Sequence, residues 1–139
     1  MKISVFGLGC VGAVNSACLA SQGHEIIGVD TDKNKIDFIN QGKSPLYEPG
    51  LDELIQTQVN EKRLKAITDV HQAVTNTDIS IICVGTPSTE IGGLELGFVE
   101  NILTQIATVI RMKDKFHVVV MRSTVLPGTA KKVAIPILE

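Results

Sequence analysis

The stretch Ile3-Ser4-Val5-Phe6-Gly7-Leu8-Gly9-Cys10-Val11-Gly12 decides the fold of this chain. It begins as a short apolar run, which is typical of a parallel strand that is buried on both faces. The run ends in Gly-x-Gly-x-x-Gly and passes directly into small and apolar residues that predict a helix. A strand, a glycine loop and a helix in this order predict the phosphate-binding turn of a dinucleotide-binding fold.

Each glycine of the loop has a separate expected role. Gly7 allows the tight turn after the strand, Gly9 lets the backbone approach a pyrophosphate, and Gly12 lets the helix pack closely on the sheet. The first N–H groups of that helix have no intrahelical acceptor and carry partial positive charge, so they favour an anion at the loop. When the motif is taken alone, a glycine-rich turn without a ligand is the alternative.

A carboxylate follows the second predicted strand, at the distance that a dinucleotide site requires. The mostly apolar run Glu25-Ile26-Ile27-Gly28-Val29 ends in Asp30, about 20 residues after the glycines. At this place a carboxylate accepts a hydrogen bond from the adenosine ribose and repels a 2′-phosphate, so Asp30 favours NAD over NADP. Lys33 and Lys35 follow it, and their charge keeps NADP open as the alternative.

Composition and charge narrow the class of protein. With 139 residues, 44% of them apolar and 4% aromatic, the chain predicts one domain with an aliphatic core. The net charge of −2 and the lack of a basic run argue against nucleic-acid binding. No apolar stretch approaches the length of a membrane helix, and the first residues lack the layout of a signal peptide. Three cysteines at unpatterned spacing predict neither disulfides nor a zinc site and are typical of the reducing cytoplasm.

Strand-like and helix-like segments alternate along the whole chain. The predicted helices cover residues 11–21, 33–40, 51–59, 69–76 and 98–111, and the later strands cover 64–67, 78–84 and 117–121. A last helix is predicted after Pro127-Gly128-Thr129, and Pro136 is expected to kink or end it. The alternation predicts an α/β fold, a Rossmann-type doubly wound parallel sheet with the strand order 3-2-1-4-5. The last strand of a complete domain of this type has no counterpart among the predicted segments.

The later segments also carry predictions about burial. The apolar stripe of the helix over 98–111 predicts its core-facing side. Its members are Ile102, Ile106, Val109 and Ile110, with Leu103 at the flank. The apolar run 117–121 predicts a strand that is buried in the sheet.

Four separate stretches meet at one predicted crevice. In a sheet of this order, ligands bind at the carboxyl ends of the strands, between strands 1 and 4. The loop from Gly7 to Gly12, Asp30, Thr86 and Thr124 all follow strands at that edge. The two threonine hydroxyls can bond to phosphates, to the nicotinamide ribose or to an ordered water. Capping of loop backbone is the alternative role for both.

None of the cysteines is predicted to be a nucleophile. Cys10 lies in the phosphate loop near a helix N-terminus, which lowers a thiol pKa, but the sequence places no histidine or lysine as its partner. Cys18 and Cys83 fall in a predicted helix and a predicted strand. Both are expected to be inert core residues.

Motifs along the whole chain resemble those of the UDP-glucose/GDP-mannose dehydrogenase family. They are Phe6-Gly7-Leu8-Gly9-Cys10-Val11-Gly12-Ala13-Val14, Gly23-His24-Glu25, Gly28-Val29-Asp30, Gly42-Lys43-Ser44-Pro45, Glu48-Pro49-Gly50-Leu51, Val84-Gly85-Thr86-Pro87-Ser88 and Arg122-Ser123-Thr124-Val125-Leu126-Pro127-Gly128-Thr129. Within the family, Leu94-Glu95-Leu96-Gly97 and the Val-Leu-Pro-Gly-Thr motif most resemble the branch that acts on GDP-mannose in alginate precursor synthesis. The branches acting on UDP-glucose or on UDP-N-acetylhexosamines are the alternatives.

The resemblance implies an oxidoreductase that oxidises the C6 alcohol of a sugar nucleotide to a carboxylate. Two NAD molecules accept one hydride each, and a family cysteine holds the intermediate as a thiohemiacetal and then as a thioester. The family's NAD contacts carry over to the backbone of Cys10 and Val11 and to Asp30, Lys35, Thr86 and Thr124. The glycine motif adds Gly7, Gly9 and Gly12 to the predicted cofactor site. Thr124 is also a candidate for a supporting role in catalysis. Because the family usually has tyrosine at the position of Cys10, any stacking by that ring is lost here.

The resemblance also implies that residues 1–139 are the N-terminal NAD-binding domain of a longer enzyme. The family's nucleophilic cysteine, its catalytic lysine and the glutamate of its Asn-Pro-Glu motif match no position in this chain. We therefore expect no catalysis by this domain alone. The central helix through which the family forms dimers or larger assemblies has no counterpart either. A stand-alone nucleotide-binding module is the competing hypothesis.

Overall fold

The computed structural model describes residues 1–139 as a five-stranded sheet with helices on both faces. The strands are β1 (Lys2–Phe6), β2 (Glu25–Val29), β3 (Leu64–Ile67), β4 (Ile79–Ile82) and β5 (Val118–Met121). The helices are α1 (Cys10–Ser21), α2 (Lys33–Asn40), α3 (Leu51–Asn60), α4 (Val70–Thr75), α5 (Gly97–Ile110) and α6 (Ile135–Leu138), with a π-helical turn over Ala130–Ala134. All strands are parallel, in the order β3-β2-β1-β4-β5, which confirms the predicted fold and topology.

Two aliphatic cores lie on the two faces of the sheet. On one face, α1, α2 and α3 pack over β1, β2 and β3 around Val5 and Ile55, which are both fully buried. On the other face, α4, α5 and α6 pack around Phe6 and Leu103, also fully buried. Successive residues of a strand point to opposite faces, so Val5 and Phe6 anchor different cores. The end of β1 is therefore held from both sides immediately before the glycine loop.

The helices begin and end at residues suited to those positions. Asp32 accepts a hydrogen bond from the backbone N–H of Asn34 at 2.9 Å and caps α2, and Asp69 accepts one from Gln72 at 3.0 Å and caps α4. Gly23, with φ of +93°, follows α1 and turns the chain toward β2. These local signals explain why the predicted bounds agree with the observed ones to within one or two residues.

The buried face of α5 is rotated from the predicted one. Leu103, expected at the flank, is fully buried, whereas Ile102 and Ile110 are only partly buried. Val99, which the predicted stripe omitted, is also fully buried, because the helix packs against α4 and α6 as well as against the sheet. Although α5 is the longest helix, with 14 residues, no helix of the structure is both long and apolar enough to cross a membrane.

The prediction that the last strand is buried is wrong for one of its faces. Val119 and Met121 of β5 pack against the core beneath α5. Val118 and Val120 point to the opposite face and are 38% and 39% exposed. The helices α4, α5 and α6 all lie on one side of the second half of the sheet, so the other face of β5 is open.

The helix does not end at Pro136, which was one of the two effects predicted for this residue. The chain passes from the π-helical turn directly into α6, and Pro136 occupies its first turn. The preceding turn bonds i→i−5, with the N–H of Ile135 donating to the carbonyl oxygen of Ala130, and the helix resumes α-helical bonding around a proline that itself has no N–H to donate. The backbone N–H of Glu139 still donates to the carbonyl oxygen of Ile135 at 3.0 Å, so the helix continues past the proline. A change from π-helical to α-helical bonding lies directly before Pro136.

The side chain of Asn40 pairs with the outer edge of β3. Its Nδ2 donates to the carbonyl oxygen of Ala66 at 2.8 Å, and its Oδ1 accepts from the N–H of Ala66 at 2.8 Å. In a parallel strand the N–H and C=O of one residue point to the same side, and those of Ala66 point away from β2. The side-chain amide of Asn40 therefore pairs with both outward-facing peptide groups of Ala66 on the edge strand β3.

Candidate functional site

The glycine loop after β1 is built so closely that two of its positions exclude a side chain. Gly7 has φ of +92°, and a Cβ there would lie 2.9 Å from the carbonyl oxygen of Cys83. A Cβ on Gly12 would lie 1.6 Å from the carbonyl oxygen of Gly7. The N–H of Gly7 donates to Val29 at 2.8 Å, which ties the loop to the end of β2. The protein itself therefore requires glycine at both positions.

Gly9 differs, because nothing in the protein requires glycine there. No heavy atom lies within 4 Å of the place where its Cβ would be. Its φ of −78° and ψ of −159° are open to any residue. Gly9 is the N-cap of α1 and provides no side-chain cap for the N–H groups of Cys10 and Val11 that follow. Open space beside exposed helix-end donors fits a pyrophosphate, as the sequence predicted.

Asp30 is held in place by the backbone before any ligand arrives. Its Oδ2 accepts from the N–H of Leu8 at 2.8 Å, inside the glycine loop, and its Oδ1 accepts from Asp32 at 2.9 Å. The ammonium group of Lys35 lies 3.8 Å from Oδ2. The structure thus brings together the glycine loop, Asp30 and Lys35, three of the predicted parts of the site. Each carboxylate oxygen keeps lone pairs for a further donor such as a ribose hydroxyl.

A cavity of about 190 Å³ adjoins Asp30 on the side of α4 and α5. Its lining is Gly7, Val29, Asp30, Thr31, Thr68, Val70, Val84, Phe98, Asn101, Ile102 and Gln105. The contribution of α5 was missed from the sequence, although the exposed Phe98 at the start of that helix was a signal for it. Its lining combines apolar side chains with the amide groups of Asn101 and Gln105, and this combination is suited to a flat heterocycle.

A larger cavity lies elsewhere in the molecule. Its volume is about 600 Å³, and it is lined near the amino ends of β1, β2 and β3 by residues such as Lys2, Glu25 and Arg63. It shares no lining residue with the cavity beside Asp30. Because ligands of doubly wound sheets bind at the carboxyl ends of the strands, the smaller cavity is the better candidate.

The loops after β4 and β5 are joined to each other by hydroxyl groups. Thr86 Oγ1 donates to the carbonyl oxygen of Thr124 at 2.6 Å, and Ser123 Oγ donates to the carbonyl oxygen of Val84 at 2.7 Å. The single hydroxyl proton of Thr86 is thereby used, so toward a ligand this group acts as an acceptor. The structure brings Thr86 and Thr124 together, and the role of Ser123 as a tie between the loops was not predicted.

The three cysteines have different surroundings. Cys10 and Cys18 are exposed, so the prediction of Cys18 as a core residue is wrong: it lies on the outward side of α1. Cys83 is half-buried directly after β4, and burial raises the pKa of its thiol despite a hydrogen bond from Asn15 and the charge of Arg122. A raised pKa disfavours the reactive thiolate. No group of three or more histidine, cysteine, aspartate or glutamate side chains is arranged to hold a metal ion.

Comparison with known proteins agrees with this geometry. Residues 1–139 match the family model described as the UDP-glucose/GDP-mannose dehydrogenase family, NAD binding domain. The chain is 54% identical to a GDP-mannose 6-dehydrogenase of Pseudomonas aeruginosa over 139 residues, covering 100% of this chain and 32% of that protein. It is 37% identical to the UDP-glucose 6-dehydrogenase AglM of Haloferax volcanii, again over 100% of this chain and 32% of the relative.

Solved structures give the same picture. A ternary complex of GDP-mannose dehydrogenase from Pseudomonas aeruginosa superposes with a TM-score of 0.98 at 54% identity, covering 100% of this chain and 32% of that one. A UDP-glucose dehydrogenase from Pyrobaculum islandicum superposes with a TM-score of 0.93 at 34% identity, covering 98% and 32%. The chain thus spans about a third of the length of the relatives that it matches, 32% of each.

Proposed function

The chain belongs to the UDP-glucose/GDP-mannose dehydrogenase family, and from this premise we propose that it is the NAD-binding domain of a GDP-mannose 6-dehydrogenase. The proposal that the substrate is GDP-mannose rests on the difference in sequence identity between two kinds of relative. Identity is 54% to a GDP-mannose 6-dehydrogenase and 37% to a UDP-glucose 6-dehydrogenase, over the same 139 residues. The product is GDP-mannuronate, a precursor of alginate.

The proposed reaction converts the C6 alcohol of GDP-mannose to a carboxylate. One water is consumed, and two hydrides leave C6 in succession for two molecules of NAD. The bound nicotinamide supplies the hydride acceptor, and the residues of this chain bind and orient it. The nucleophile of the second oxidation is not Cys10, Cys18 or Cys83. This assignment is supported by the place of Cys10 in the glycine loop, by Cys18 on the outer side of α1, and by the burial of Cys83.

The proposed cofactor site uses each predicted residue in a stated role. The backbone N–H groups of Cys10 and Val11, with the open space at Gly9, receive the pyrophosphate. Asp30 accepts from the adenosine ribose, and Lys35 beside it donates to the same sugar. The adenine lies in the cavity against α5.

At the other end of the crevice, Thr86 accepts a hydrogen bond from the nicotinamide half of NAD. Thr124 stands beside it because its carbonyl oxygen holds the Thr86 hydroxyl at 2.6 Å. In this proposal Gly7 and Gly12 do not contact the cofactor through side chains; they allow the close turn on which the pyrophosphate lies.

The location and assembly of the protein belong to the same proposal. We place the enzyme in the cytoplasm, which is supported by three cysteines that form no disulfide. Self-association is assigned to segments that the longer relatives have in addition to this domain. The partner of the whole enzyme is the sugar nucleotide, and the partner of residues 1–139 is NAD.

Calorimetric titration of the chain with NAD and NADP tests the cofactor site. Asp30→Ala is expected to weaken NAD binding by about tenfold or more, because a charged hydrogen bond to a ribose hydroxyl contributes roughly 1.5–3 kcal/mol. Asp37→Ala, which removes a carboxylate from the exposed side of α2, is the matched control and is expected to keep the wild-type affinity. Equal loss in both variants, or tighter binding of NADP than of NAD, would contradict the assignment.

The substrate is tested on a protein that carries this domain together with the remaining two thirds found in the relatives. We expect two NADH per GDP-mannose consumed, and little NADH from UDP-glucose or from a UDP-N-acetylhexosamine. Residues 1–139 alone are expected to bind NAD and to produce no NADH from GDP-mannose. Turnover by residues 1–139 alone would show that a nucleophile lies within them.

A further inference from the structure

Buried polar side chains cross the sheet toward the amino ends of its strands, away from the crevice. Ser4 on β1 and Ser80 on β4 are fully buried, and their hydroxyl oxygens lie 2.8 Å apart. Ser80 Oγ lies 2.8 Å from Nε2 of His117, and Nδ1 of His117 lies 3.0 Å from Nζ of Lys113. His117 directly precedes β5, so this row of contacts joins β1, β4 and the start of β5.

The ammonium group of Lys113 determines the direction of these hydrogen bonds. It has three N–H groups and no lone pair. Its three partners are the carbonyl oxygen of Val74 at 2.9 Å, the carbonyl oxygen of Thr77, and Nδ1 of His117. Since Lys113 can only donate, Nδ1 must accept. The imidazole is therefore neutral with its proton on Nε2, and it donates to Ser80 Oγ.

The remaining protons follow in the same direction. Ser80 donates to Ser4, and Ser4 donates to the carbonyl oxygen of Ile79 at 3.2 Å. The buried Thr77 hydroxyl lies 3.0 Å from Ser4 Oγ and 2.8 Å from the carbonyl oxygen of Ala73, and it donates its single proton to the nearer carbonyl oxygen. No buried side-chain nitrogen or oxygen of the structure lacks a hydrogen-bond partner. With one proton on the imidazole, every hydrogen-bonding group of the row has a partner, and a second proton on Nδ1 would face the ammonium group of Lys113.

Charges around His117 also resist a second proton. Burial lowers the pKa of His117, the charge of Lys113 lowers it further, and a backbone contact with Thr77 and the carboxylate of Asp78 oppose this shift. Burial likewise lowers the pKa of Lys113, with Asp78 opposing and Lys115 adding to the shift. The loop before β5 thus supplies the ammonium groups of Lys113 and Lys115, and the turn after α4 supplies the carboxylate of Asp78.

A third cation lies at the same edge of the sheet. Lys2 of β1 lines a polar hollow of about 320 Å³ together with Asp78, Lys113 and Lys115. The ammonium group of Lys2 also lies 3.7 Å from a carboxylate oxygen of Glu25, so the charges that act directly on the imidazole are the Lys113 ammonium group and the Asp78 carboxylate.

We propose that Lys113, His117 and Ser80 form a clamp that holds β5 against β4 and opens when His117 takes a second proton. An imidazolium at this place would turn an N–H toward an ammonium group at about 3 Å, so the contact with Lys113 would be lost. The pair of Ser80 and His117 has the spacing of a nucleophile and its base. Ser80 is fully buried, however, and the partner of Nδ1 is a cation rather than a carboxylate, so the arrangement stabilises the sheet.

The direction of the pH dependence follows from the lowered pKa. In the unfolded chain His117 titrates near its ordinary value of about 6.5. In the folded chain its pKa is lower, so below about pH 6.5 the unfolded chain binds more protons and unfolding is favoured. The stability that the clamp contributes is complete above that pH and is lost as the pH falls through the folded-state pKa.

Nitrogen-15 NMR of the wild-type imidazole is the first test, because it needs no variant. We expect the Nε2–H tautomer for His117 at pH 7.5 and a titration midpoint below 6.5. In Lys113→Gln, which removes the charge but keeps an N–H donor, the midpoint is expected to rise. The Nδ1–H tautomer, or a midpoint at or above 6.5, would overturn the proposal.

Urea denaturation between pH 5 and 8 is the second test. The unfolding equilibrium constant of the wild type, divided by that of His117→Gln, is expected to rise as the pH falls below about 6.5, by up to tenfold per pH unit. His71→Gln, which changes an exposed histidine of α4, is the matched control, and its ratio to the wild type should not vary with pH. A ratio for His117→Gln that is flat over this range would contradict the clamp.

Discussion

At the carboxyl edge of the sheet, backbone N–H groups and an open space at Gly9 stand ready for a ligand, and the side chains there bond mainly to loop backbone. At the amino edge, four side chains bond to one another in a row whose two ends bond to backbone carbonyl oxygens. They are Ser4, Ser80, His117 and Lys113. Both edges are made by the same strands. The difference shows that a binding edge keeps hydrogen-bonding capacity unused, whereas a structural edge uses all of it.

The largest effect is expected inside the carboxyl edge, where two glycines of one loop should behave in opposite ways. Gly12→Ala places a methyl group 1.6 Å from a backbone oxygen and is expected to lower the free energy of unfolding by at least about 3 kcal/mol. Gly9→Ala meets no protein atom within 4 Å, so its stability should stay within about 0.5 kcal/mol of the wild type.

The same pair separates stability from binding. The methyl group of Gly9→Ala enters the space assigned to the pyrophosphate, so NAD affinity is expected to fall by about tenfold or more, a loss of roughly 1.4 kcal/mol. Urea denaturation measures the first quantity and calorimetry the second. If Gly9→Ala binds NAD as the wild type does, the open space is not a ligand site.

An intermediate effect is expected at the amino edge. Ser80→Ala leaves the Nε2–H of His117 without its acceptor and removes the contact between Ser80 and Ser4. It is expected to cost about 1–3 kcal/mol of unfolding free energy with no change in NAD affinity. Ser21→Ala, at the exposed end of α1, is the control and should cost less than about 0.5 kcal/mol. A loss of NAD affinity in Ser80→Ala at full stability would erase the distinction between the two edges.

The smallest effect is expected from the hydroxyl that joins the loops after β4 and β5. Thr86→Val removes the bond to Thr124 and the acceptor offered to the cofactor, so NAD affinity should fall by about three- to tenfold, or roughly 0.5–1.5 kcal/mol. Thr104→Val is the control, because it makes the same change of side chain on the exposed side of α5, outside the crevice. Calorimetry that finds equal affinities for the two variants would assign Thr86 to loop structure alone.

The carboxyl edge was predictable from sequence because its signals are local. The spacing of Gly7, Gly9 and Gly12 and the position of Asp30 after a strand each reflect a backbone requirement within a few residues. The amino-edge row was not predictable, because it needs the register of β1 against β4, which sets Ser4 opposite Ser80, 76 residues apart. No periodicity in the chain carries that information.

The errors about burial have the same origin. Val118 and Val120 are residues typical of a buried strand. They are exposed because α4, α5 and α6 all pack on the other face of β5, and this arrangement cannot be read from the strand itself. The rotation of α5 likewise depends on its contacts with α4 and α6 and not on its own stripe. Long-range packing therefore limits sequence-based prediction of the core more than prediction of the element bounds.

The amide of Asn40 has a consequence for how copies of this chain meet. A strand edge with free N–H and C=O groups is a template on which another chain can pair and fibres can grow. At β3 the outward peptide groups of Ala66 are already occupied by that amide, at 2.8 Å on both atoms. One side chain therefore acts against the addition of a further strand at this position of the β3 edge.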